Sequence, residues 1–143
     1  MTKWDRRCMQ MARLVATWSK DPSTNVGCLI ADRDHRIVSV GFNGYPAGMP
    51  DTADTDPRAI RLARTIHAEV NALLNAGRPL PMGCTLYTTF PPCDRCMVQI
   101  IQAGVHRVIT DGSVLPRVEW MDSFLLAQQF AKECDVDYIR MEA

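Results

Sequence analysis

The chain has 143 residues, 47% hydrophobic and 22% charged, enough apolar material for one core, which excludes wholesale disorder. Lys plus Arg and Asp plus Glu number 16 each, so the formal net charge is zero, whereas a protein gripping nucleic acid through many phosphates needs a basic surplus. No apolar run approaches the ~18 residues of a membrane helix, and Met1 to Arg7 lacks the apolar core of a signal peptide. A cytoplasmic protein with neither membrane nor nucleic-acid partner is expected.

Trp4, Cys8, Met11, Val15 and Trp18 recur at helical spacing and predict one apolar helix face, which Asp21-Pro22-Ser23-Thr24 ends. Val26 to Ile30 reads as a buried strand, residues 32–35 as a hairpin loop and Arg36 to Gly41 as the returning strand. Gly44, Pro46, Gly48, Pro50 and Pro57 mark residues 43–57 as an irregular connection. Helical spacing then runs from about Arg58 towards Ala76, where Gly77 and Pro79 stop it. Cys84 to Thr89 is a third strand, and Pro92 and Cys93 open a short helix that Gly104 closes. Arg107 to Thr110 is a fourth strand, Trp120 to Cys134 a helical stripe and Val136 to Ile139 a last strand. Strands joined through helices become parallel neighbours. The expected fold is α/β, a three-layer α/β/α sandwich around one central mixed sheet of about five strands. No repeat or linker interrupts it, so residues 1–143 read as a single domain.

Cys8, Cys28, Cys84 and Cys134 lie singly in apolar contexts and read as small buried hydrophobes. Cys93 and Cys96 form a Cys-x-x-Cys pair at a helix start, where unpaired backbone N–H groups favour thiolates. With His67 they make three zinc-type ligands. Three protein ligands leave a fourth position for water, the mark of a catalytic rather than a closed structural zinc. Glu69, two residues after His67, supplies the acid–base group such a site needs. His-Ala-Glu followed by Pro-Cys-Asp-Arg-Cys is the zinc-deaminase pattern H-x-E…P-C-x-x-C. A redox cysteine pair would leave His67 and Glu69 idle. A closed structural zinc would need a fourth ligand, for which His35, His106 and Cys84 are available.

From Trp18 to Val108 the chain resembles the deoxycytidylate (dCMP) deaminases, bacterial or phage type, of the cytidine-deaminase-like superfamily. The resemblance rests on Ser19-Lys20-Asp21-Pro22, Gly41-Phe42-Asn43-Gly44-Tyr45-Pro46, His67-Ala68-Glu69, Cys84-Thr85-Leu86-Tyr87, Pro92-Cys93-Asp94-Arg95-Cys96 and Ile100 to Val105. It implies attack of zinc-activated water on C4 of the cytosine ring. Glu69 takes the water's proton, protonates N3 and then the leaving amine, giving dUMP and ammonia for thymidylate synthesis. It also implies that Asn43 holds the sugar hydroxyl, and that backbone groups at Ala68 and from Thr89 to Pro91 read the base edge. Tyr87 or Phe90 is a candidate pocket wall. For the 5′-phosphate, the polar turn of Ser19, Lys20, Ser23 and Thr24 offers donors and charge.

The same resemblance implies a homohexamer, activated by dCTP with Mg2+ and inhibited by dTTP, with Gly44, Tyr45 and Arg78 as effector contacts. Residues 47–66 contain neither Cys nor His, so one zinc per subunit is expected. Arg58, Arg61 and Arg64 form a basic stripe that reads first as a solvated face, with Asp51, Asp54 and Asp56 to balance it. Two departures from the family stand out: Pro91 before Pro92-Cys93, and the segment Asp111 to Pro116. The alternatives are another zinc deaminase, acting on dCTP, cytidine or a tRNA adenosine, and a non-catalytic zinc-binding module.

Overall fold

A computed structural model describes residues 1–142. In chain order it contains α1 (Lys3–Ala16), β1 (Gly27–Ala31), β2 (Ile37–Phe42), α2 (Arg58–Arg64), α3 (Ala68–Asn75), β3 (Thr85–Thr88), α4 (Asp94–Gln102) and β4 (Arg107–Asp111). A 3-10 turn (Val118–Trp120), α5 (Met121–Glu133) and β5 (Asp137–Met141) follow. The five strands form one sheet in the order β2-β1-β3-β4-β5. β1 pairs antiparallel with β2 and β3, whereas β3, β4 and β5 run parallel. The expected mixed sheet between helices is therefore what forms.

Strand parity divides the core. Leu29, Ala31, Tyr87 and Ile109 pack with Cys8, Met9 and Ala12 of α1 on one face. Cys28, Ile30, Leu86 and Val108 pack on the other with residues of α3, α4 and α5. Both ends of β4 are tied to α1 by ion pairs. Arg107 donates to Asp5 at 2.8 Å, and Arg13 donates two hydrogen bonds to Asp111, at 2.7 and 3.0 Å. Asp5 also closes a capping box with Thr2 and accepts the Tyr87 hydroxyl at 2.8 Å. Tyr87 is thus committed to the α1 face and walls no pocket on the other.

These partners set an acid limit on stability. Burial raises the Asp5 carboxyl, but the Thr2 N–H, the Tyr87 hydroxyl and Arg107 outweigh it, leaving Asp5 at about 2 against an ordinary 3.8. Arg13 foremost holds Asp111 at about 2. Both carboxylates are thus more acidic in the fold than in the open chain, so their stabilisation is whole above the ordinary value and is lost as pH falls from about 4 towards 2. The thermal midpoint should drop steeply across that window. Arg107→Ala, which strands the buried Asp5 carboxylate, should cost about 3 kcal/mol at neutral pH. Denaturant unfolding at pH 7 and pH 3 checks both, because the loss should shrink at the lower pH.

Three expectations need correction. Trp4, Met11 and Trp18 are exposed, and the buried face of α1 is Asp5, Cys8, Met9, Ala12 and Val15. The reason is close approach: a Cβ on Gly27 would collide with the Ala12 carbonyl oxygen, so α1 rests on β1 through small residues. The helix expected from Arg58 to Ala76 is two helices. Ile66 and Gly44 exchange backbone hydrogen bonds of 2.8 and 3.1 Å, and this bridge pulls residues 65–67 into extended backbone. Cys134 is exposed at the C-cap of α5, whereas Cys8, Cys28 and Cys84 are buried.

Candidate active site

The break between α2 and α3 makes His67 the N-cap of α3 and puts Glu69 in its first turn. Cys93 is the N-cap of α4, where its sulfur accepts the Cys96 N–H at 3.4 Å. Two helix starts, from segments 26 residues apart, therefore meet. His67 Nδ1 lies 3.2 Å from Cys96 Sγ and 3.5 Å from Cys93 Sγ. The ligand atoms of the three residues all lie within 4.8 Å of one another. Zn–N near 2.0 Å and Zn–S near 2.3 Å place tetrahedral N and S ligands about 3.5 Å apart, so the donor set fits zinc.

Among the described residues no other His, Cys, Asp or Glu completes this group. His35 stacks on Trp4 at 5.3 Å and Cys84 donates to the Pro81 carbonyl, so neither serves as a fourth ligand. A three-ligand set is the open form that suits catalysis. The hydrogen bond from Cys96 foremost, with support from His67, pulls the Cys93 thiol well below its usual range against the effect of burial. Cys93 is therefore the more acidic of the two thiols, and Cys93 together with burial raises Cys96.

Glu69 is 4% exposed, and burial pushes its carboxyl upward, partly opposed by a hydrogen bond from Thr88. That bond, 2.8 Å from Thr88 Oγ1 to Glu69 Oε1, crosses from β3 to α3. Thr88 has the parity of Leu86 and so faces the α3 side of the sheet. Sequence reading missed it. The available signal was a fully buried strand whose threonine hydroxyl had to find a partner. The helix expected from Trp120 to Cys134 forms as α5, but its reach to the site was also missed: Ser123 Oγ donates to Asp94 Oδ1 at 2.6 Å beside Cys93, and Phe124 packs edge-on against Phe90 at 5.6 Å. The divergent segment after Thr110 therefore leads into a helix that braces the start of α4.

The other expected site residues have diverse placements. Asn43 is buried. Its Oδ1 accepts the Val26 N–H at 2.9 Å and its Nδ2 donates to the Thr24 carbonyl at 2.8 Å, bracketing the turn before β1. Ser19 Oγ donates to the Asn43 carbonyl at 2.8 Å. Asp21 Oδ1 accepts from the Ser23 hydroxyl and from the Ser23 and Thr24 N–H groups. The polar turn is thus largely spent on its own closure. Lys20 is exposed and pairs with Asp51 at 2.8 Å. Lys20, Asn43, Gly44 and Tyr45 line a groove of about 290 Å³ together with Trp18 and Asp51.

Thr89 exchanges two 3.0 Å hydrogen bonds with Gly27, one through its own N–H and one through its Oγ1, and Pro91 is half-buried. Ala68, the first residue of α3, is buried, and first-turn N–H groups have no partner within their helix. Arg78 is exposed beyond the opposite end of α3 from Glu69. Of the basic stripe, Arg64 donates to Asp56 at 3.2 Å, and Asp56 also accepts the Tyr45 and Thr52 hydroxyls.

Residues 2–111 match the family model for the cytidine and deoxycytidylate deaminase zinc-binding region. An uncharacterised deaminase encoded in the luxG 3′ region of Aliivibrio fischeri is 54% identical over 108 residues, 76% of this chain and 72% of that protein. Human deoxycytidylate deaminase is 36% identical over 114 residues, 75% of this chain but 64% of its own length. The crystal structure of the dCMP deaminase from cyanophage S-TIM5 in complex with dCMP and dUMP superposes with a TM-score of 0.74 at 26% identity, covering 99% of both chains. Among the described residues, no helix is long and apolar enough to cross a membrane.

Proposed function

The chain belongs to the cytidine and deoxycytidylate deaminase family through its zinc-binding region, and from that premise we propose that it hydrolyses dCMP to dUMP and ammonia. The observation that carries this reading is the convergence of His67, Cys93 and Cys96, with the buried carboxylate of Glu69 two residues after His67. These three side chains would hold a zinc ion, which would supply a Lewis acid that makes water nucleophilic near neutral pH. Glu69 moves the protons: it takes one from the attacking water and delivers it to ring N3, then takes the second from the oxygen newly bonded to C4 and hands it to the departing amine. The reaction balances as dCMP plus water giving dUMP plus ammonia.

Substrate contacts follow the same reading. The unpartnered N–H of Ala68 and the backbone from Thr89 to Pro91 hold the base edge. The second hydrogen of Asn43 Nδ2 reaches the sugar hydroxyl. Lys20 answers the 5′-phosphate by leaving Asp51, since an exposed ion pair is worth about 1 kcal/mol at most. Ser19, Ser23 and Thr24 act through the shape of their turn. We carry the reading further to a single-domain cytoplasmic protein that supplies dUMP for thymidylate synthesis. It is a homohexamer activated by dCTP with Mg2+ and inhibited by dTTP, with Gly44 and Tyr45 in the effector groove and Arg78 as a further contact.

The test is ammonia release by the zinc-loaded protein on dCMP, deoxycytidine, dCTP and CMP in parallel, the dCMP assay being repeated with added dCTP and Mg2+. The expected result is strong selectivity for dCMP and a sigmoidal rate curve that dCTP makes hyperbolic. Equal rates on deoxycytidine would reject the phosphate contact. A hyperbolic curve indifferent to dCTP and dTTP would reject the regulation.

A further inference from the structure

The hydroxyl of Thr88 stands between two acceptors. Its Oγ1 lies 2.8 Å from Glu69 Oε1 and 3.0 Å from the Phe90 carbonyl oxygen. Thr88 is fully buried and Glu69 nearly so. Thr88 is the last residue of β3, whose register against Cys28 of β1 and Thr110 of β4 fixes its backbone on both sides. A β-branched side chain on such a backbone has little rotamer freedom. The carboxylate, by contrast, sits on a longer and more flexible side chain at the start of α3. Thr88 engages Oε1, which leaves the other oxygen for the reacting proton.

We propose that Thr88 is a positioning residue: its hydroxyl locks the Glu69 carboxylate in one orientation, pinning Oε1 so that Oε2 faces the reacting atoms. The inference rests on the acid–base role proposed for Glu69. A hydroxyl carries one proton and two lone pairs. It can donate to Glu69 while the carboxylate is ionised. When Oε2 carries the reacting proton, Oε1 is still an acceptor and Thr88 keeps donating to it, with the Phe90 carbonyl as its second neighbour. One side chain thus holds the same geometry on both sides of the proton transfer. It also ties the acid–base group to the Phe90 to Pro92 segment that leads into Cys93.

The test compares Thr88→Val, which keeps shape and strand propensity but loses the hydroxyl, with Thr88→Ser, which keeps the hydroxyl. Thr88→Ala is the second hydroxyl-free variant should the valine protein fail to fold. Zinc content, thermal midpoint, kcat, KM and a crystal structure are measured for each. The hydroxyl-free protein should lose roughly 10- to 100-fold in kcat on dCMP, the scale of a small misplacement of a reacting group. Its KM should change less than about 3-fold and its zinc should be retained. Thr88→Ser should recover most of the rate. In the crystal the Glu69 carboxylate should turn or split between orientations without the hydroxyl and stay fixed in the serine variant. A hydroxyl-free variant with near-normal kcat, a serine variant as slow as valine, or an unmoved carboxylate would each overturn the inference. Should the unmodified protein leave dCMP untouched, the proposed function fails, and the carboxylate orientation alone still decides for or against Thr88.

Discussion

Glu69→Gln is expected to lower kcat on dCMP by roughly 10³-fold or more, towards the upper end of what a single acid–base group supplies. The argument is one of proton capacity. Gln presents the same shape and can still accept the Thr88 hydroxyl where Oε1 does now. It cannot take a proton from water or give one to ring N3. Its neighbours His67, Cys93 and Cys96 are untouched, so zinc should stay at one per chain. Stability should not fall, because burial already disfavours the ionised carboxylate at this position. Steady-state ammonia release, metal analysis and a melting curve check the three parts together. A variant retaining a tenth of the wild-type kcat would remove Glu69 from the proton path. Loss of activity accompanied by loss of zinc would mean that the carboxylate holds the metal site together instead.

Gly41→Ala should have the largest structural effect. Gly41 lies in β2 directly beneath α3, and an added Cβ would collide with the backbone N of Ala72 and come within 2.6 Å of the Ala68 carbonyl oxygen. All its nearest neighbours are backbone atoms, so no side chain can swing away. The helix must lift or tilt, and α3 is the helix that carries Glu69 and is capped by His67. The expected cost is about 3 kcal/mol, the upper end of overpacking penalties, with a midpoint about 10 °C lower. Activity should fall further than stability requires, since the shift reaches the first turn of α3. Gly44→Ala is the control for stability, because nothing lies within 4 Å of the position its Cβ would take. A Gly41→Ala protein as stable as the control would show that α3 is not seated on β2 as described.

Much of this molecule is legible in one dimension. Cys93-Asp94-Arg95-Cys96 starts a helix by itself, and Cys-x-x-Cys spacing puts both sulfurs on one side of that start whatever the rest of the chain does. His67 and Glu69 are separated by one residue at a helix N-terminus, so the ligand and acid–base roles proposed for them rest on residue chemistry and local spacing. Alternating strands and helices after residue 84 dictated the parallel half of the sheet, because crossover connections leave no other pairing. These features depend on neighbours within about one helical turn or on connection length, and such constraints are written in the sequence.

What the tertiary structure decided lies between residues far apart in the chain. The split of the 58–76 helix comes from the bridge between Gly44 and Ile66, 22 positions apart, and helical periodicity cannot register it. The face that α1 buries was chosen by Gly27, whose missing side chain lets small residues win over the two tryptophans. The polar turn that reads as a phosphate cradle closes on Asp21 and Asn43 because those acceptors lie nearest in space. Thr88 reaches Glu69 only because β3 lies under α3. The sequence by itself determined which chemical groups the protein owns and the order in which elements carry them. Packing decided which hydroxyl meets which carboxylate, since hydrogen bonds and close approaches depend on ångström-scale distances that exist only once the sheet and helices are stacked.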